Sequence, residues 1–500
     1  GAHALDAVGY EYLRGQFELS TFPVGHPARI RPVSRILNTQ DELQVPKGVA
    51  PKSDHPVDHL IFALRYEGIN LQLLAEVMPR ISGGELVARL REAPSGLFVR
   101  KACYLWEWFA GDELGDLPPV AGPYGDLFDS ERYVTGAVRK DTKWRINFNG
   151  IGSAGYCPTV RLTGPIKDGI ASDVLGRTKA FLESLGATNA DRALSWAYLS
   201  ETDSSFAIER EAPTHSKAET FVALLQQAHD KTELTEDYLA DLQSATISNP
   251  FEKAAAFRQE QNWLRGGALR GASSVTYVPP TPELLAKLMP AFLDMANVLP
   301  RQIDPIVAAA VASFGFVYLH PFMDGNGRLS RFLFHHALCQ SGKLERGLLL
   351  PVSVAMKRHE AKYLEALKSF SKPARKLWGV SWADEDRFDF KFNGADSIYR
   401  FWDATPCVEF GYQMAEEALD VDLRQETEFL ASFDRIGKAL NEEYDVRGND
   451  QHLLIISALQ NGGKISNNRR KRLADRVPEE VFDFVERLAK NELASYVGRT

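Results

Sequence analysis

The run His320-Pro321-Phe322-Met323-Asp324-Gly325-Asn326-Gly327-Arg328 places an imidazole, a carboxylate, two glycines and a guanidinium within nine residues. After it, Leu329, Phe332, Leu333, His336 and Ala337 repeat at helical spacing, so a glycine turn opens a helix. Glycines let backbone N–H groups approach an anion closely, and the helix start adds unpaired donors and a positive dipole end. That combination is a seat for phosphate. Arg328, Arg331 and His335 follow at i, i+3 and i+7, which lays two guanidinium groups along one stripe beside the seat. Asp324, just before the turn, is the kind of carboxylate that holds Mg²⁺ with its water shell, and His320 can take a proton near neutral pH. The chemistry implied is acid–base work on a phosphate ester. An EF-hand is excluded, because Arg328 falls at the third ligand position and His335 where the bidentate Glu belongs. A Walker loop is excluded as well, since no Gly-Lys-Ser/Thr follows the glycines.

These residues need elements to position them. Asp304-Pro305 is a helix start, an N-cap with proline at the first helical position, and Ile306 to Leu319 then reads as a buried helix ending at His320-Pro321. From Ile166 to about Leu367 helical patterns dominate, broken by the Gly-rich stretch Gly266 to Gly271 and the β-prone Ser273 to Pro280, which predict a short hairpin. His59 to Glu113 has helical spacing, whereas 115–165 is rich in Gly, Pro and Asp. The expectation is a mainly α protein: an N-terminal helical domain at 1–114, an ordered connector at 115–165, a catalytic core at 166–400 and a helical or winged-helix-like domain at 401–500.

Five hundred residues suit about three domains, and 44% apolar residues suffice for substantial cores. With 58 Lys and Arg against 66 Asp and Glu, the net charge of −8 argues against a general nucleic-acid coat. The longest apolar stretch, Pro305 to Leu319, is short of the roughly 18 to 20 residues of a spanning helix, so no membrane span is expected. The first thirty residues lack the pattern of an export signal. Cys103, Cys157, Cys339 and Cys407 stand far apart with no C-x-x-C pair, which argues against a disulfide framework or cysteine-built zinc site and for a reducing cytoplasm.

His320 to Arg331 resembles the Fic motif, H-P-F-x-[DE]-G-N-G-R-x-x-R, at every specified position. The resemblance implies a Fic-fold helical bundle with a β-hairpin flap, acting as an adenylyltransferase that moves AMP from ATP to a Ser, Thr or Tyr hydroxyl of a target protein. His320 would be the base, Asp324 would hold Mg²⁺, Gly325, Asn326, Gly327 and Arg328 would receive phosphates, and Arg331 would meet the γ-phosphate. Ser205-Phe206-Ala207-Ile208-Glu209 resembles the family's inhibitory helix, [ST]-x-x-x-E-[GN], with Arg210 departing at the sixth position. By that resemblance Glu209, on one helix face with Ser205, would pair with Arg331 and block the γ-phosphate. Gln261 to Gly266 and Val275-Thr276-Tyr277 resemble the flap, an edge that could pair with an extended target segment; Tyr277 reads equally as a packed aromatic. Tyr363 stands where relatives place a tyrosine near adenine, or is a core tyrosine. Lys464 to Arg472 holds five basic residues in nine, read first as a solvated helix face and second as a DNA or partner contact. Alternatives within the resemblance are another nucleotide, a phosphocholine-like donor or AMP removal. A different class of reading is a nucleotide-switched regulator or toxin-system component acting through the basic section. No oligomeric state is indicated.

Overall fold

The computed structural model describes residues 5–230, 232–384 and 387–497. The protein is mainly α-helical, and the helix Pro305–Leu319 lies at its centre. Every residue of that helix except Val317 is buried, as an uncharged sequence with no polar stripe requires. Small residues let neighbours approach closely: an added Cβ at Gly315 would meet the Tyr156 hydroxyl at 2.5 Å. Asp304 caps its start, accepting from the Ile306 N–H at 3.1 Å and the Tyr412 hydroxyl at 2.6 Å. The helix stops at His320, whose φ of +51° turns the chain into the glycine loop.

The motif helix, Asn326–Gln340, follows and packs against the central helix. Helices Ala187–Ile208, Glu236–Thr246, Pro282–Val298, Glu360–Arg375 and Thr405–Glu417 contribute to the same hydrophobic core. The expected flap is present as Leu264–Arg265 paired antiparallel with Val275–Tyr277, Leu264 facing Tyr277. Beside it stands a second hairpin, Trp378–Asp384 with Arg387–Phe392, in which Trp378 faces Phe392. The two hairpins meet through Trp263 and Phe390, ring centroids 5.4 Å apart, and Arg375 Nε donates to the Val275 carbonyl at 2.9 Å.

Around this core lie two further regions. The N-terminal one combines a four-stranded sheet, in the order Ala7–Val8, Ala28–Ile30, Leu43–Val45, Leu37–Asn38, with helices from Pro56–Tyr66 to Leu97–Ala110. The stretch expected as a connector supplies Leu127, Phe128, Trp144 and Ile146 to the hydrophobic cluster that holds Leu60, Leu74 and Leu105. At the other end, helices Arg424–Glu443, Gly448–Gln460, Asn467–Leu473 and Glu479–Val497 surround a small core of their own, including Leu440, Leu454 and Phe482. Among the described residues no helix is long and apolar enough to cross a membrane, and all four cysteines are free and buried.

Candidate active site

His320 is held by backbone on one side and leaves one nitrogen for chemistry. Its Nδ1 lies 3.0 Å from the Val317 carbonyl. A carbonyl only accepts, so Nδ1 carries the proton and Nε2 keeps its lone pair. Burial lowers the imidazole pKa to about 4, so the ring is neutral at physiological pH. Arg258 fixes the loop on which the ring sits: its Nε donates to the His320 carbonyl at 2.7 Å and its backbone N–H to the Pro321 carbonyl at 2.8 Å. The buried cation thereby satisfies carbonyls at the C-terminal end of the central helix, while burial itself lowers its pKa to about 10.

The turn that follows is built from side-chain to backbone bonds. Asn326 accepts from the Phe322 N–H at 3.0 Å and donates to the Phe322 carbonyl at 2.7 Å, so this amide holds the loop closed. Asn262 donates to the Phe322 carbonyl at 3.1 Å, and Gln243 to that of Asp324 at 3.2 Å. Gly325 has φ +88°, a conformation that any Cβ would strain, and an added Cβ would also meet Ile247 at 3.1 Å. It is the N-cap of the motif helix, and no side chain caps that start among the described residues. The donors of the first turn therefore face the site without a cap of their own. Asp324 Oδ1 accepts from the Gly325 N–H at 2.7 Å and from Arg328 at 3.2 Å. Glu252 stands beside Asp324, and the hydrogen bond between the two carboxyl groups raises its pKa above the usual range. Two adjacent oxygen donors, one of them 40% exposed, fit a cation such as Mg²⁺ that binds one or two carboxylates and keeps its waters.

Across the motif helix lies Ala187–Ile208, attached by residues four apart. Glu201 meets His335 Nε2 at 2.5 Å, and Ser205 accepts from Arg331 through both its hydroxyl and its carbonyl at 2.8 Å. Glu209 Oε1 lies 2.7 Å from Arg331 Nη2. Burial disfavours the Arg331 charge, but Glu209 and Tyr363 together outweigh that and raise the guanidinium pKa. The same carboxylate presses on the glycine turn, where an added Cβ on Gly327 would fall 1.9 Å from Glu209 Oε1. A negative group thus already rests against the anion seat. Arg210 takes φ +59°, the Glu211 N–H bonds back to the Phe206 carbonyl at 3.0 Å, and the Arg210 N–H bonds to that of Ala207 at 2.9 Å. This Schellman turn is normally closed by glycine or asparagine.

The structure brings His320, Asp324, Gly325, Gly327, Arg328, Arg331, Ser205 and Glu209 together. Of the flap residues, Val275 and Tyr277 point inward and Thr276 is exposed. The Tyr277 hydroxyl donates to the Tyr318 carbonyl in the core. Tyr363 is buried against Phe314 and stacks on Phe410 at 5.5 Å, with its hydroxyl close to Arg331 and Ser330. Sequence reasoning missed Arg258, Gln243, Glu252, Glu211 and Glu201. Only Glu201 left a signal, the four-residue stride 201, 205, 209.

Residues 215–338 match the model of the Fic/DOC family, a stretch that includes His320, the glycine turn and both motif arginines. The chain carries a Fic domain there. A protein adenylyltransferase Fic from Nematostella vectensis is 30% identical over 184 residues, covering 33% of this chain and 43% of the relative. One of the same name from Drosophila willistoni is 32% identical over 141 residues, covering 28% of this chain and 25% of the relative. The chain thus spans less than half the length of either. A Fic family protein from Desulfovibrio desulfuricans G20 aligns at 18% identity with a TM-score of 0.38 over 66% of this chain and 89% of that one.

Proposed function

We propose that the protein is an adenylyltransferase that moves AMP from ATP to a hydroxyl side chain of a target protein and is held inactive by Glu209. Relatives bearing that activity in their names support the reaction. The observation that carries the inhibited state is the Glu209 carboxylate, bonded to Arg331 and lying on Gly327. In the proposed step, His320 Nε2 takes the proton of the target hydroxyl while its oxygen attacks the α-phosphorus. The bond from that phosphorus to the bridging oxygen breaks, and pyrophosphate leaves. No covalent enzyme intermediate is needed. The uncapped start of the motif helix, Arg328 and Arg331 orient the phosphates. Asp324, with Glu252 beside it, would hold Mg²⁺, which when bound neutralises phosphate charge. Backbone at the flap edge would align the target segment, with Thr276 on the open side. Four free, buried cysteines support a reducing, cytoplasmic setting.

Incubation with ATP labelled at the α-phosphate tests the reading. Glu209→Gly should label itself more than the unaltered chain does, and His320→Ala introduced into Glu209→Gly should abolish the signal. Equal labelling with and without His320 would overturn the role of the histidine, and no labelling of any variant would favour a binding regulator.

A further inference from the structure

The turn that ends the upstream helix offers two carboxylates to the site. Glu209 meets Arg331, and Glu211 Oε2 lies 2.5 Å from Arg328 Nη1. Both come from one backbone device. Arg210, at φ +59°, reverses the chain inside the Schellman turn, and the residues on either side of it reach the motif helix. Arg328 is poor in other partners. Its side chain is only 2% exposed, its guanidinium carbon lies 5.4 Å from the Phe206 ring centroid, Asp324 is its other carboxylate at 3.2 Å, and its Nε has no hydrogen-bond partner among the described residues.

We propose that Glu211 is a second inhibitory residue, which blocks nucleotide by occupying Arg328 as Glu209 occupies Arg331. The inference rests on the function proposed above and extends its regulation. An exposed ion pair would deserve little weight, but here only the glutamate side is accessible, at 43%, and the cation it covers is buried. At the seat, Arg331 is paired with Glu209 and Arg328 with Glu211 and Asp324, so both guanidinium groups are already engaged by carboxylates. A polyphosphate needs both guanidinium groups free of the turn's carboxylates, and removing Glu209 alone leaves Arg328 still engaged by Glu211. Both gates hang on the same turn, so anything that unwinds the end of the upstream helix releases them together.

Calorimetric titration with a non-hydrolysable ATP analogue and Mg²⁺ tests this on four full-length chains: unaltered, Glu209→Gly, Glu211→Gln and the double variant. Glu211→Gln keeps the size of an exposed side chain, so the fold is retained. It should bind the analogue about three- to tenfold more tightly than the unaltered chain, and the double variant should exceed Glu209→Gly by a similar factor. If Glu211→Gln binds like the unaltered chain and the double variant like Glu209→Gly, the second gate does not exist, while the proposed function stands. Weaker binding by Glu211→Gln would make Glu211 a residue that orients Arg328 for nucleotide, and would equally overturn the proposal. If Glu209→Gly neither binds the analogue nor transfers label, the functional reading itself fails and takes this inference with it.

Discussion

Two helices of this protein are rich in arginine, and they use it in opposite ways. On the motif helix, Arg328 and Arg331 are 2% and 1% exposed and are met by carboxylates brought from the turn that ends a helix more than a hundred residues upstream. On the helix Asn467–Leu473, Lys471 and Arg472 face solvent, while Arg470 is absorbed by Glu479, Asp483 and Glu486 of the following helix. A buried guanidinium beside an uncapped helix start is poised for an anion. The same group on an open face is neutralised locally or hydrated. What separates the two is the glycine turn and the elements converging on it, and charge counting does not see either.

The largest effect that would sharpen this contrast is expected from Arg331→Ala in the Glu209→Gly background. Loss of an oriented phosphate donor should reduce AMP transfer by about a hundredfold or more, measured as initial rate of label incorporation. Next comes Glu209→Gly itself, for which self-labelling should rise about tenfold or more, reflecting the freed Arg331 and glycine turn.

Third is the dependence of stability on pH. Burial lowers the pKa of His59, His320 and His336 to about 4 in the folded chain. An unfolded histidine titrates near 6.5, so between these values the unfolded state binds more protons and stability must fall as pH drops from 6.5 toward 4. Glu67 acts in the other direction. Burial raises its pKa to about 8, so stability falls as pH rises from about 4.5 to 8 as this carboxyl is made to ionise. Three histidines outweigh one glutamate below 6.5, so the melting temperature should climb from pH 4 to about 6.5 and then decline toward 8. A flat profile over this range would show that these groups are not buried as described.

Smaller still is Arg210→Gly. Relief of the left-handed strain on a non-glycine residue, roughly 1 kcal/mol, should tighten the turn proposed to be inhibitory and lower self-labelling of the unaltered background several-fold. Smallest of all is the basic helix: Lys471→Ala with Arg472→Ala should leave transfer within about twofold and stability within about 0.5 kcal/mol. A large loss of transfer there would break the comparison by giving the exposed cluster a role in the reaction.

Legibility in the sequence followed the distance over which each feature is encoded. His320 to Arg331 is contiguous, so residue types and spacing are enough to read its chemistry, and Ser205 with Glu209 needs only one helical turn. Glu211 escaped because its position depends on Arg210 adopting a left-handed conformation, which side-chain identity argues against. Arg258 escaped because the partners that tie it to the site are the backbone carbonyls of Leu319 and His320, about sixty residues away, which no spacing reveals. The hairpin Trp378–Asp384 with Arg387–Phe392 did leave a mark, since Phe388, Phe390 and Phe392 alternate as a half-buried strand requires. The N-terminal strands run two or three residues each, too short to establish a period. Asn326 reads in the sequence as part of the expected phosphate seat, and what spacing does not reveal is that its side-chain amide clasps the turn through the Phe322 backbone.

The central claim is that the glycine turn and His320 serve transfer of an AMP group. It is tested most directly by giving the Glu209→Gly chain ATP labelled either at the α-phosphate or at the γ-phosphate and following protein-bound label. The account predicts label from the α position alone, abolished when His320→Ala is added. Protein-bound label from the γ position, or α-label that persists without His320, would contradict it.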